Sequence, residues 1–313
     1  MSARLTIAAL VCGAAAQTAR LAARNRSLFL DGQGPHFFRA VLYSPTAWGA
    51  DDDIYFQTGY YQRQWPELFA RDVQLMSLMG ANAVRLHGFF GIANNLRRHT
   101  AFLDAAFNSN ISVFLSYDLV GQGEGAVSLR SPLAQDAAVR SFRTYLLAAK
   151  HRATVMVFVG DRSVPCQFGE NIEEFAAVLN TFCSEARQLG LSCTVPLANL
   201  PLPVAVHVAR YGALDLRPSR GVIDWLEIMA PRMPRMDVLS ASLTASNSST
   251  NVTFELNLSA LPSQLPNRPF LVADYGIDAF NTTEWFAQAR ELATILLTVL
   301  VCSLQVKSLG LPS

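Results

Sequence analysis

"TVMVFVGDR", residues 154–162, is the stretch on which the fold turns. Val155 to Val159 are all apolar, and Gly160 ends the run just before the charged pair Asp161–Arg162. A short apolar run closed by a turn residue reads as a strand buried on both faces. Strands of that kind belong to parallel sheets with helices packed on them. Charges set directly behind such a strand are either a solvated loop or a functional site.

Working outward from Thr154–Gly160, further strands are expected at His36–Tyr43, Ala83–His87, Ile111–Asp118, Ser192–Leu197, Asp224–Ala230 and Pro269–Tyr275. Helical patterns lie between them at Pro66–Met79, His99–Asn108, Pro132–Lys150, Ile172–Leu189 and Val204–Arg210. Pro66 suits a first helical turn, and Gly80 and Gly190 stand where helices stop. Strand-then-helix repetition along 313 residues predicts an α/β fold, a (β/α)8 TIM barrel rather than a doubly wound sheet. No Gly-rich phosphate loop opens a helix after the first strand, which argues against a dinucleotide domain. In a barrel the site lies at the C-terminal ends of the strands. Those ends carry Tyr43, Arg85 with His87, Tyr117, Asp161 with Arg162, Arg232, and Asp274 with Tyr275.

Composition narrows the class. Apolar residues make up 51% of the chain and charged residues 16%, which suits a large core and argues against disorder. A net charge of +1, with no long run of like charge, gives no electrostatic case for nucleic acid or an anionic membrane.

The first 17 residues have one early Arg4, an apolar stretch from Leu5 and small residues at the end, the layout of a secretory signal peptide. Asn-x-Ser/Thr sequons follow at Asn25, Asn110, Asn247, Asn251, Asn257 and Asn281, and their density fits a secreted, extracellular or cell-surface glycoprotein. Without Cys12 of the leader, Cys166, Cys183, Cys193 and Cys302 allow two disulfides in three connectivities, at spacings unlike a zinc site. The main domain is expected over 18–291. The tail, 292–313, is apolar from Leu292 to Val306, short of the ~20 residues of a membrane span. A buried helix is favoured there over a removed anchor signal or a membrane attachment, because Trp285–Arg290 makes a poor polar spacer.

Four segments then carry a resemblance: "RAVLYSP" (39–45), "RDVQLMSLMGANAVRLHG" (71–88), "VFVGDR" (157–162) and "PFLVADYGIDAF" (269–280). In that order they resemble clan A glycoside hydrolases, among them secreted β-glucan-active, β-1,3-glucanosyltransferase-like members, over about residues 36–290. The resemblance implies a polysaccharide or oligosaccharide partner of β-glucan type, and neither metal nor organic cofactor. Similar enzymes have Asn–Glu after the fourth strand, with Glu as acid/base, and a nucleophilic Glu at the seventh. Retaining chemistry holds those carboxyls ~5–5.5 Å apart.

This chain departs at both positions, with Asp161–Arg162 and Asp274. Arginine keeps its proton and cannot serve as acid/base. Aspartate is one methylene shorter than glutamate, and a misplacement of that size costs ~100-fold in rate. The similar proteins also have a Trp-rich eighth strand, where this chain runs into its apolar tail, so an incomplete or atypical eighth strand is expected. The expectation is a carbohydrate-binding protein with catalysis impaired or lost, a pseudoenzyme. Its sugar contacts would come from Arg85, His87, Tyr43, Trp48, Tyr117, Trp225, Arg232 and Tyr275, the aromatics stacking on pyranose faces unless they simply pack in the core. Two other readings stay open: an active retaining enzyme with Asp274 as nucleophile and Asp161 as acid/base, and a non-catalytic structural surface glycoprotein.

Overall fold

The computed structural model describes residues 20–24, 27–43, 66–86, 99–117, 131–159, 172–196, 229–245 and 268–277. A hairpin of β1 (Leu21–Arg24) and β2 (Ser27–Leu30) comes first. Then follow β3 (Ala40–Tyr43), α1 (Pro66–Leu78), β4 (Ala83–Leu86), α2 (Thr100–Asn108) and β5 (Ser112–Tyr117). Next come α3 (Pro132–Ala148), β6 (Thr154–Val159) and α4 (Ile172–Gln188), with β7 (Ser192–Pro196), β8 (Val238–Ala245) and β9 (Phe270–Ile277) completing the described elements. Strands β3 to β9 form one parallel sheet in which each strand pairs with its sequence neighbour. Sequential parallel pairing with intervening helices is the architecture of a (β/α) barrel. The expected positions of an eighth strand, the leader and the tail lie outside the described residues.

Local chemistry explains the repeat. Pro66 and Pro132 open α1 and α3, where a missing N–H costs nothing. Gly80 (φ +82°), Asn110 (φ +56°) and Gly190 (φ +76°) end α1, α2 and α4 in the left-handed region. In each case the next residue's N–H returns to a carbonyl five positions back: Ala81 to Met76, Ile111 to Ala106 and Leu191 to Ala186. The chain is thereby turned into the following strand two or three residues later. One disulfide, Cys183–Cys193 with Cα atoms 5.2 Å apart, fastens α4 to β7. Cys166 and Cys302 lie outside the described residues.

Alternate strand residues face the helices. Val84, Leu86, Val113, Leu115, Val157, Val159, Cys193 and Leu239 are buried there with Phe69, Val73, Phe102, Phe142, Leu179 and Phe182. On the sheet's other, inner face, Ala83, Phe114, Met156, Phe158 and Val238 meet Leu21 and Leu28 of the hairpin and Phe38. Ser192 Oγ donates to Leu21 O (2.9 Å), fixing the hairpin to the N-terminal end of β7.

Two features differ from the sequence reading. Of the strand expected at Asp224–Ala230, residues 224–228 lie outside the described residues and 229–230 belong to a helical turn at 229–232; the strand that pairs with β7 is β8, Val238–Ala245. The sequence "VLSASLTA" alternates apolar and small hydroxyl residues and lacks the continuous apolar run used to find the other strands. The hairpin was also missed, because "LAAR" holds no β-branched or aromatic residue. The expected helix at Val204–Arg210 lies outside the described residues.

Candidate functional site at the C-terminal strand ends

Above the apolar plug the inner face changes character. The residues that continue its strand parity are Arg85 on β4, Ser116 on β5, Thr194 on β7 and Ser240 on β8. Arg85 is 1% exposed, yet charged. Its register partner on β5 is Phe114, but its Nε donates to Ser116 Oγ (3.2 Å), two residues further toward the C-terminal end. Its guanidinium lies 4.2 Å from the Phe158 ring centroid, a cation–π contact that suits the planar, weakly hydrated group. Thr194 Oγ1 lies 2.7 Å from both Val238 O and Ser240 Oγ. These groups make two polar pairs on one face of the sheet, Arg85 with the half-buried Ser116 on β4 and β5 and the buried Thr194 with Ser240 on β7 and β8, with Phe158 of β6 in register between them.

The same face continues in the backbone register of β9. Ala241 pairs with Val272 and Ser242 with Asp274, so a one-residue bulge at Ala273 falls immediately before Asp274. Without the bulge, Asp274 would sit at the other strand parity. With it, Asp274 is level with Ser242, which shares the parity of Ser240. Bulges of this kind re-aim side chains and are frequent beside active sites. No Gly or Pro at 272–274 marks the bulge in advance.

Other expected site residues are placed elsewhere. Tyr43 faces the helices: its hydroxyl donates to Asp72 Oδ2 of α1 (2.8 Å) and its ring stacks at 6.1 Å on Phe102. Burial, with the Asp72 carboxylate, pushes the Tyr43 phenol well above its ordinary pKa. Tyr117 also faces the helices, with ring centroids 4.7 Å from Phe142 and 5.2 Å from Tyr145. Both rings continue the parity of Leu86 and Leu115, so they serve the core rather than the inner face. Arg232 is in the helical turn at 229–232, not at a strand end, and its Nε donates to Glu173 Oε1 at the start of α4 (2.6 Å). His87, Trp48, Trp225, Asp161 and Arg162 lie outside the described residues; Asp274 and Tyr275 are placed by backbone in β9. No cluster that could hold a metal occurs among the described residues, and no helix among them is long and apolar enough to cross a membrane.

No protein family description matches the chain, and no curated protein is similar to it in sequence. Solved structures match in fold. An endo-β-1,4-mannanase from Thermotoga petrophila superposes with TM-score 0.53 at 11% identity, over 80% of this chain and 63% of the mannanase. Saccharomyces cerevisiae Gas2p, in complex with laminaripentaose, gives 0.52 at 10% identity, over 88% of this chain and 58% of that one. A hyperthermostable endocellulase gives 0.55 at 8% identity, covering 92% and 89%. This chain therefore spans less than two thirds of the mannanase and of Gas2p. At such identities the likeness is one of fold, that of a (β/α) barrel.

Proposed function

We propose that the chain is a secreted, carbohydrate-binding (β/α)-barrel protein that engages β-glucan-type oligosaccharide at the C-terminal ends of its strands, with catalysis impaired or lost. The observation that carries this reading is the set of polar residues on the inner face, the buried Arg85, Thr194 and Ser240 with the half-buried Ser116, together with the bulge that sets Asp274 level with Ser242. Burying a cation and several hydroxyls costs stability unless they are partnered, so such a set is expected where a ligand site is cut into a core. Arg162 follows three residues after Val159, the end of β6, and replaces the proton donor that similar enzymes need. Asp274 keeps a carboxylate at the nucleophile position but on a shorter arm. The neighbours, a mannanase, an endocellulase and Gas2p in complex with laminaripentaose, place no sugar or linkage on this chain.

The leader over 1–17 and a barrel over 18–291 belong to the same proposal, with 292–313 as a helix or tail. One observation favours a second reading: Asp274 remains ionisable, and with Asp161 as acid/base it would make an active retaining β-glycosidase or transglycosylase. Incubation with β-1,3-, β-1,4- and mixed-linkage glucan oligosaccharides, followed by mass spectrometry and calorimetry, separates the readings. Binding without product is the expected result. New oligosaccharides that vanish in Asp274→Ala would replace it with the active reading. Neither binding nor product would leave a structural surface glycoprotein.

A further inference from the structure

We propose that Asn110 carries an N-linked glycan, and that this glycan stands at the closed, N-terminal end of the sheet, opposite the strand ends of the candidate site. The inference rests on the reading of the chain as secreted. Asn110–Ile111–Ser112 forms a sequon in the turn between α2 and β5. Asn110 is exposed. The turn is closed by main-chain atoms alone, Asn110 N to Phe107 O (3.0 Å) and Ile111 N to Ala106 O (2.9 Å). Gly80 and Gly190 perform the same closure after α1 and α4. The backbone at this position therefore requires only a residue that tolerates positive φ, which Asn does.

The rest of the sequon fixes when the modification occurs. Ile111 is 2% exposed and Ser112 is 7% exposed, so an enzyme reaches this tripeptide only before β5 docks. Folding then buries Ile111 and Ser112 and leaves Asn110 outside, where a bulky glycan meets solvent and not the core. In the transfer, Asn110 Nδ2 bonds to C1 of an oligosaccharide carried on a polyprenyl diphosphate. The C1–O bond to the diphosphate breaks, the polyprenyl diphosphate leaves, and the amide gives up one proton. Ser112 N donates to Asn82 O (2.9 Å), which places the turn beside the α1–β4 connection at the N-terminal ends of the strands. A glycan there shields the closed end and leaves the opposite face clear.

The test is the full chain expressed in a eukaryotic secretory host. Enzymatic glycan release in heavy-oxygen water should convert Asn110 to labelled Asp, read by peptide mass spectrometry. Asn110→Gly keeps the left-handed turn and should lose one glycan step in gel mobility. Ser112→Ala should lose the same step, and Ser112→Thr should retain it. A chain glycosylated elsewhere but bare at Asn110 overturns the site alone. A chain bare at all six sequons overturns the secretion reading and the site together.

Discussion

The two faces of the parallel sheet are built from the same strands, and their chemistry differs. Toward the helices the surface is apolar from end to end, from Val84 and Leu86 on β4 to Leu239 on β8. Toward the inside it is mixed: the hairpin's Leu21 and Leu28 cluster with Phe114 and Phe158, and Arg85, Ser116, Thr194 and Ser240 share that face, with Phe158 in register between Ser116 and Thr194. The helix-facing side answers to packing, so its residues matter through volume. The inner polar residues are retained against a desolvation cost, so they should matter more to a ligand than to the fold.

Phe142→Ala gives the largest expected effect. Phe142 is fully buried on α3 between Tyr117 (4.7 Å) and Phe182 (4.9 Å). Removing its ring should cost about 3–5 kcal/mol in urea unfolding. A loss near that of a surface substitution would show that the helix-facing side is not the core. Replacing Cys183 and Cys193 together by Ala comes next. A crosslink with a sequence separation of 10 residues restricts the unfolded chain by about 3 kcal/mol. The effect should be matched by adding reductant to the unaltered protein.

Arg85→Met probes the other face and should reverse the pattern. Loss of the Phe158 contact costs up to about 2 kcal/mol, offset by removal of a buried charge. Stability should thus change less than in Phe142→Ala, while oligosaccharide affinity falls at least ~10-fold. Arg85→Lys should not restore binding, because an ammonium cannot reproduce the stacked guanidinium. Unchanged affinity would remove the inner polar residues from the site.

This contrast also explains what could be read in advance. The strands at 83–86, 112–117 and 154–159 are mostly apolar, and the Pro and Gly positions at 66, 80 and 190 punctuate the helices, so most elements were legible within a few residues. Arg85 was legible as a charge inside an apolar strand. β8 was not, because Ser240, Ser242 and Thr244 interrupt its apolar residues and its pattern imitates a loop. The aromatics misled for the complementary reason: Tyr43 and Tyr117 carry hydroxyls, but strand parity puts their rings among the helices. The bulge before Asp274 depends on how β8 and β9 register, a long-range property that no local pattern encodes.

Tyr43→Phe sharpens that correction. It deletes one hydrogen bond to the Asp72 carboxylate and should cost about 1.5 kcal/mol at neutral pH without altering oligosaccharide affinity. The folded-state pKa of Tyr43 is raised by burial and by Asp72. Its contribution is therefore fully present below the unfolded pKa of about 10 and is lost as pH rises above it. Alkaline unfolding should begin at higher pH in Tyr43→Phe. An effect on affinity would return Tyr43 to the inner face.

The smallest expected effect belongs to the hairpin, where the inner face is apolar but its edge is charged. Arg20 Nε donates to Asp31 Oδ1 (2.7 Å). That hydrogen bond holds the Asp31 carboxyl below its usual pKa, with burial opposing and the charge of Arg20 assisting. Because the folded pKa is depressed, the stabilisation is present above the unfolded value of about 3.9 and disappears as pH falls through the folded one. The side chain of Asp31 is 48% exposed, so solvent screens the pair and its worth is below about 1 kcal/mol. Asp31→Asn keeps a residue suited to the left-handed backbone (φ +51°) and removes only the charge. Urea unfolding should show the variant slightly weaker at pH ~7 and equal to the parent at pH ~2, with the gap closing in high salt. A deficit that persists in acid would mean that Asp31 acts through its turn and not its charge. The hairpin would then be held to the sheet by the packing of Leu21 and Leu28 and by the Ser192–Leu21 hydrogen bond, and the inner face would follow the packing rule of the helix-facing side at its N-terminal level.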